Sequence, residues 1–300
     1  MNLSSKIRVA VLRGGSSGDY DASLKTGEHI LSILRDMSET YEPVDIFISK
    51  NAEWHLGGLV HEPHKALSHT DVVWNALHGV YGEGGKVQRI LEGLKIPFTG
   101  SSAMASALAM NKDMAKRIYQ KHSLLTPAYE LMTEENLNAD RLINIFRNYL
   151  FPIIIKPTYR SSDMVLAHTF DELKESIKKA FTQSPRLLVE EFIRGQKVTC
   201  TVIEGAREEI IYALLPYSPQ HRLDNSLNKE VEKMTKQAHE VLGLSHYSSS
   251  DFIVTPKKKI YILETNSLPM LHKDSLAHRS LEATGWRPRD FVDHVLKLAM

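Results

Sequence analysis

A hairpin near the C-terminus constrains this chain more than any other stretch. Ser248-Ser249-Ser250-Asp251-Phe252-Ile253-Val254 and Lys259-Ile260-Tyr261-Ile262-Leu263-Glu264-Thr265-Asn266 read as strands, joined by the polar turn Thr255-Pro256-Lys257-Lys258. Folding about that turn sets Asp251 opposite Glu264 or one step from it. Period-two alternation then puts Asn266 on the face of Glu264. Two carboxylates and an amide oxygen on one sheet face form a hard-oxygen cluster, suited to Mg²⁺ with phosphate oxygens completing its shell. The same pattern also describes a solvated hairpin face with scattered charges. Phosphoryl chemistry is the leading expectation, with Asp251, Glu264 and Asn266 as metal ligands.

Bulk properties bound the alternatives. A chain of 300 residues holds two or three domains with a sizeable core. The net charge of +1, from 37 basic and 36 acidic residues, lacks the basic excess of a general nucleic-acid binder. The single cysteine, Cys200, sits in an apolar strand-like stretch and reads as a small core residue, which fits a reducing, cytoplasmic setting. The N-terminal residues lack a signal-peptide pattern, and no apolar run is long enough to span a bilayer. No membrane partner is expected.

The first hundred residues alternate strand and helix: strand 7–12, helix 19–37, strands 44–48 and 71–76, helix 83–94. That alternation predicts a parallel α/β domain. Phe98-Thr99-Gly100-Ser101-Ser102 marks a boundary, followed by helices over 102–109 and 111–122. The rest mixes strands (152–156, 186–192, 197–204, 209–215 and the hairpin) with helices (170–182, 226–242, 275–284, 288–299), an α+β pattern in the C-terminal half.

Several loops carry further candidates, each with an ordinary structural reading beside it. Gly14-Gly15-Ser16-Ser17-Gly18-Asp19 joins a strand to a helix and presents N–H groups to an anion, or is a tight turn with Asp19 as cap. It does not match the G-x-G-x-x-G fingerprint, which argues against NAD. His78 and Glu83 lie in a glycine-rich segment after a strand end, where ligands of open α/β sheets gather. Lys112 opens a helix and Lys156 closes an apolar strand; point charges of this kind bind phosphate. Thr158 to Ser162 is a hydroxyl-rich loop able to cover phosphates, which includes Ser161 and Ser162. Glu190 and Glu191 end an apolar strand before Phe192 and Ile193, where a carboxylate and backbone groups can read an adenine edge. Ser275 starts a helix and either receives a substrate carboxylate or caps itself.

Together these segments resemble the D-alanine–D-alanine ligase family of ATP-grasp enzymes. The likeness runs in order over residues 7–299, carried by Val9-Ala10-Val11-Leu12-Arg13-Gly14-Gly15-Ser16-Ser17, Ala76-Leu77-His78-Gly79-Val80-Tyr81-Gly82-Glu83, Phe98-Thr99-Gly100-Ser101 through Asn111-Lys112, Ile155-Lys156-Pro157, Val189-Glu190-Glu191-Phe192, Asp251-Phe252, and Leu263-Glu264-Thr265-Asn266-Ser267-Leu268-Pro269. The resemblance implies an ATP-grasp fold with an N-terminal domain over 1–100, a central domain over 101–191 and a C-terminal domain with the metal site over 192–300. It places ATP between the last two. Lys112, Lys156 and the lid hydroxyl Ser162 would meet ATP phosphates; Glu190, Glu191, Phe192 and Ile193 would hold the adenine; Asp251, Glu264 and Asn266 would hold two Mg²⁺ ions, or Mn²⁺ in their stead. Asp19, where the family usually has Glu, would bind the ammonium of the first D-alanine beside His78. Ser161 would act over the reacting groups, and Ser275 with the Leu276 backbone would meet the second substrate's carboxylate. The implied reaction phosphorylates the first D-alanine carboxylate, and the second amine then displaces phosphate from the acyl phosphate. A homodimer through the N-terminal region is also implied.

The chain departs from the family pattern at several points. Ser249 stands where an Arg is usual two residues before the metal Asp, and the lid reads Arg160-Ser161-Ser162-Asp163-Met164 instead of a glycine-flanked Ser-Ser-Val. The ω-loop has no counterpart, because Pro216-Tyr217-Ser218-Pro219 runs almost directly into the next helix. Lys197 replaces a ribose-binding Glu, and Met270 a Gly of the oxyanion turn. Three readings follow: a divergent D-alanine–D-alanine ligase, an ATP-grasp ligase for another amino acid or amine, and a non-catalytic nucleotide-binding homologue. The complete set of metal ligands argues against the third, and Asp19, His78 and Ser275 favour the first.

Overall fold

The computed structural model describes residues 6–159 and 164–300. Three sheets organise it. The first has the order β4-β3-β2-β1-β5, from β1 (Ile7–Gly14), β2 (Tyr41–Ile48), β3 (Trp54–Leu56), β4 (Leu59–His61) and β5 (Val72–Asn75). β1 runs parallel to β2 and β5, with Val9 to Leu12 fully buried, as expected of a strand covered on both faces. The sheet is nevertheless mixed and not all-parallel: β3 pairs antiparallel to both β2 and β4. The turn between β3 and β4 is Gly57-Gly58, both at positive φ, which a two-residue hairpin requires.

Helices α1 (Tyr20–Asp36), α2 (Pro63–Ala66), α3 (Gly79–Glu83) and α4 (Lys86–Leu94) accompany this sheet. The single helix expected over 83–94 is two, because the chain turns at Gly84-Gly85. Glu83 therefore ends a short helix at the sheet's carboxyl edge. Then come α5 (Ala103–Met110) and α6 (Lys112–Lys121), the latter capped by the Asn111 side chain.

The second sheet has the order β6-β9-β7-β8, from β6 (Tyr129–Thr133), β7 (Ile153–Pro157), β8 (Val165–Ala167) and β9 (Arg186–Glu191), with α7 (Ala139–Asn148) and α8 (Phe170–Phe181). It keeps its own core, in which Ile153, Ile155 and Val189 meet Ile145 and Leu173. The third sheet, β11-β10-β12-β13, is antiparallel throughout: β10 (Gln196–Glu204), β11 (Ile211–Ala213), β12 (Tyr247–Val254) and β13 (Ile260–Asn266). Its backing helices are α9 (Asn225–Val241), α10 (Leu276–Ala283) and α11 (Pro288–Ala299). One face of β10 and β12 buries Cys200, Val202 and Phe252 against Ala109, Tyr119 and Met234 from α5, α6 and α9.

The first and third sheets share a core. Trp74 stacks on Tyr247 with ring centroids 6.3 Å apart, and Phe291 meets both rings edge-on. This contact brings the carboxyl edge of β1 and β5 up to the face of β12 and β13 that carries Asp251 and Glu264. Among the described residues no helix is long and apolar enough to cross a membrane.

Candidate active site

The floor of the site is the β12–β13 ladder. Asp251 pairs directly with Glu264, and Ser249 with Asn266, so all four side chains project from one face. A register shift follows immediately, between Asp251 and Phe252. Such a bulge twists the strand and re-aims the residues beside it. Thr199 of β10, opposite Asp251, donates from Oγ1 to Asp251 Oδ1 at 2.6 Å. On the other side the Lys112 ammonium contacts the Glu264 carboxylate. These residues line a cleft of about 900 Å³.

The two carboxylates differ electrostatically. Burial, then the neighbouring Glu264 charge, push Asp251 up to about 6. Burial also pushes Glu264 upward, but Lys112 outweighs it through charge and hydrogen bond, and Glu264 settles below its ordinary value. Opposed buried carboxylates with one ammonium between them carry surplus negative charge, which a divalent cation relieves. Among the described residues no group of three His, Cys, Asp or Glu is placed to hold a metal. Two carboxylates and an amide instead suit Mg²⁺, which keeps open positions for water and substrate phosphates.

One wall comes from the first sheet. Ser16, Ser17, Gly18 and Asp19 line the cleft with His78, Gly79 and Glu83. Ser17 Oγ donates to the His78 carbonyl at 2.6 Å and ties the two loops together. Asp19 occupies the N-cap of α1 without a side-chain capping bond and lines the cleft. It abuts Gly79, at φ +70°, where a Cβ would lie 2.5 Å from Asp19 Oδ2. His78 is buried, with Nε2 2.8 Å from Thr26 Oγ1, and burial lowers it to about 4. Burial raises Glu83 to about 8, although the Gly79 N–H donates to it at 2.8 Å. At neutral pH this wall therefore carries a neutral His78, a largely protonated Glu83 and the carboxyl group of Asp19.

The nucleotide candidates divide. Lys112 lines the cleft; Lys156 and Glu190 do not, being buried against each other with Lys156 Nζ 3.1 Å from Glu190 Oε1. Glu191 is engaged with the Ala128 N–H, which donates to its Oε1 at 2.9 Å. Phe192 and Ile193 form the link between the second and third sheets, and Phe192 is exposed. Ser275 caps α10, accepting from the His278 N–H at 3.2 Å, while the next residues Leu276 and Ala277 line the cleft. Ser161 and Ser162, with Arg160 and Asp163 of the altered lid, lie outside the described residues.

Ser249 is buried on the face of Asp251 and shares a hydrogen bond with Thr201. Among the described residues the Lys and Arg side chains lining the cleft are those of Lys86 and Lys112; neither Arg222 nor His272 takes the place of an Arg at 249. The segment after Tyr217, which bridges to Thr199, passes into α9, and none of residues 218–224 lines the cleft. Sequence reading passed over Thr199 and Lys116. Thr199 was signalled by the alternation Lys197, Thr199, Thr201 in the strand paired with that of Asp251, and Lys116 by its position one helical turn after Lys112.

A family model described as "D-ala D-ala ligase C-terminus" matches residues 118–297. The D-alanine–D-alanine ligase of Geotalea uraniireducens is 33% identical, the match covering 97% of this chain and 95% of that one. That of Cupriavidus metallidurans is 30% identical over 97% and 91% of the two chains. The crystal structure of the Bacillus anthracis ligase complexed with ATP superposes with a TM-score of 0.83 at 27% identity, covering 98% of this chain and 96% of that one. Agreement over nearly the full length, through the strands that build the cleft, places this protein in the D-alanine–D-alanine ligase family.

Proposed function

We propose that the chain joins two D-alanines to D-alanyl-D-alanine at the expense of ATP, a step of cell-wall precursor synthesis carried out in the cytoplasm. The observation that carries this reading is the meeting, in one cleft, of the Asp251–Glu264–Asn266 floor with the Asp19–His78 wall. Asp19 attracts the ammonium of the first D-alanine. His78, neutral and tied to Thr26, orients that substrate by hydrogen bonding without adding charge. Lys112 and Lys156 hold ATP phosphates, assisted by Ser161 and Ser162. Glu190, Glu191, Phe192 and Ile193 form the adenine end. Asp251, Glu264 and Asn266 hold two Mg²⁺ ions, which supply charge neutralisation for the transferring phosphoryl group. The helix start at Ser275 and Leu276 receives the second substrate's carboxylate. Units over 1–100, 101–191 and 192–300 and a homodimeric quaternary form complete the reading.

The neutral Ser249–Thr201 pair and the cleft-lining Met270 favour a second reading, in which another amine takes the place of the second D-alanine. ADP release with Mg-ATP, measured across single and paired D- and L-amino acids, separates the two. D-alanine-dependent release with dipeptide formation, lost in Asp251→Ala/Glu264→Ala, supports the first. Release that requires a different acceptor replaces it with the second, and no amino-acid-dependent release overturns both.

A further inference from the structure

Lys116 projects from α6 into the protein with no exposed surface. Its ammonium lies 3.0 Å from Glu190 Oε2, donates to Thr126 Oγ1 at 2.7 Å and sits 5.3 Å from the centroid of the Tyr129 ring. Enclosed among these groups, it has no surface to offer a ligand. Lys156 differs. Its ammonium is 3.0 Å from the same Glu190 Oε2, but its side chain keeps 11% of its surface exposed. Glu190, only 1% exposed, thus stands between two cations.

The charge count is the informative part. A Lys156–Glu190 pair alone is neutral, and each ion satisfies the other. A second ammonium on the same carboxylate leaves the group with one net positive charge. Because Lys116 is wholly enclosed, that surplus is expressed at Lys156, the one of the two that keeps exposed surface. Burial lowers Lys116 to about 8 against the opposing pull of Glu190, so it is still mostly charged at neutral pH. Methionine would fill a similar space without the cost of burying an ammonium. What lysine adds there is charge.

We propose that Lys116 is a positioning residue for the nucleotide: by taking up the charge of Glu190 and fixing its carboxylate, it leaves Lys156 a net cation for the polyphosphate. The inference rests on the assignment of Lys156 and Glu190 to the nucleotide site. It concerns a residue that never touches ATP and acts through one that does.

The test compares the affinities of ATP and adenosine for the full-length protein by calorimetry. In Lys116→Met the preference for ATP over adenosine falls by about tenfold or more, because Glu190 now neutralises Lys156. In Lys116→Met/Glu190→Gln the preference returns to within about threefold of the unaltered protein, because Lys156 is again uncompensated. Thr126→Val, which keeps every charge and removes one partner of Lys116, shifts the preference the same way by a smaller factor and serves if Lys116→Met does not fold. An unchanged preference in the single variants, with only a lower melting temperature, overturns the inference and leaves Lys116 a structural strut. So does a double variant as impaired as Lys116→Met. Absence of ATP binding by the unaltered protein overturns the nucleotide assignment itself, and the inference with it.

Discussion

Asp251 and Glu264 stand directly opposite each other on neighbouring antiparallel strands, and among the described residues only Glu264 holds an ammonium, that of Lys112. The asymmetry splits their acidities: Asp251 rises to about 6 while Glu264 falls below its usual value. Asp251 is thus the member of the pair that the apo fold tolerates least.

Asp251→Asn should therefore stabilise the protein in EDTA. A carboxyl group raised from its ordinary value of 3.8 to about 6 costs native stability as pH climbs through that window, and the full cost is present above it. At pH 7.5 the substitution should raise stability by about 1–3 kcal/mol, since Thr199 can still donate to the amide oxygen. Turnover should fall by about 10² or more. A lower melting temperature in EDTA would refute the argument.

Glu83 carries a second pH signature. Its native value of about 8 exceeds the ordinary 4.5 of a glutamate, so the folded state binds more protons than the unfolded state between them. Stability is retained below about 4.5 and declines as pH rises toward 8. His78, lowered to about 4 from 6.5, works in the opposite sense between those values and gains stability with rising pH. Denaturant titrations of Glu83→Gln should show a decline from pH 5 to pH 8 that is shallower by about 2–4 kcal/mol. A slope equal to that of the unaltered protein would count against a buried, protonated Glu83.

Gly79→Ala combines two penalties. Alanine is strained at φ +70°, and its Cβ would press on Asp19 Oδ2 and Ser17 Oγ. Stability should fall by about 1–3 kcal/mol. KM for the first amino acid should rise about tenfold or more, with KM for ATP little changed, because the displaced group is Asp19. Steady-state kinetics with each substrate varied in turn would reveal a uniform rise in both, contradicting this placement.

Ser249→Arg adds a cation to a cleft whose lining Lys and Arg side chains, among the described residues, are those of Lys86 and Lys112. The side chain would enter the cleft beside Asn266, at the cost of the Ser249–Thr201 hydrogen bond. Turnover with D-alanine should rise by about tenfold or more if charge on the reacting centre limits the rate. Unchanged turnover with an intact fold would mean that this chain's reaction does not develop charge there.

The hairpin and its facing carboxylates were legible in the sequence because both strands are local and one turn sets their register. Asp19, His78 and Lys112 were legible through resemblance and reached the same cleft. The ion pairs were not. Lys112–Glu264 and Lys116–Glu190 join residues far apart in the chain, and no periodicity encodes which lysine meets which carboxylate. The β3–β4 hairpin was missed although Gly57-Gly58 announced it, since its strands are too short for alternation to stand out. For Ser275, local chemistry allowed a cap or a ligand. The hydroxyl is used as a cap, and the cleft meets the residues just beyond it.

Cys200 gives the protein an internal clock. It is the chain's only thiol, buried on the reverse side of the strand that carries Thr199, and burial raises it to about 12. Labelling by a thiol reagent must therefore wait for β10 to part from its helices, and the labelling rate reports how often that sheet opens. Mg-ATP engaging the opposite face should slow the clock, whereas a ligand held by the first sheet alone should leave it running at nearly its original pace.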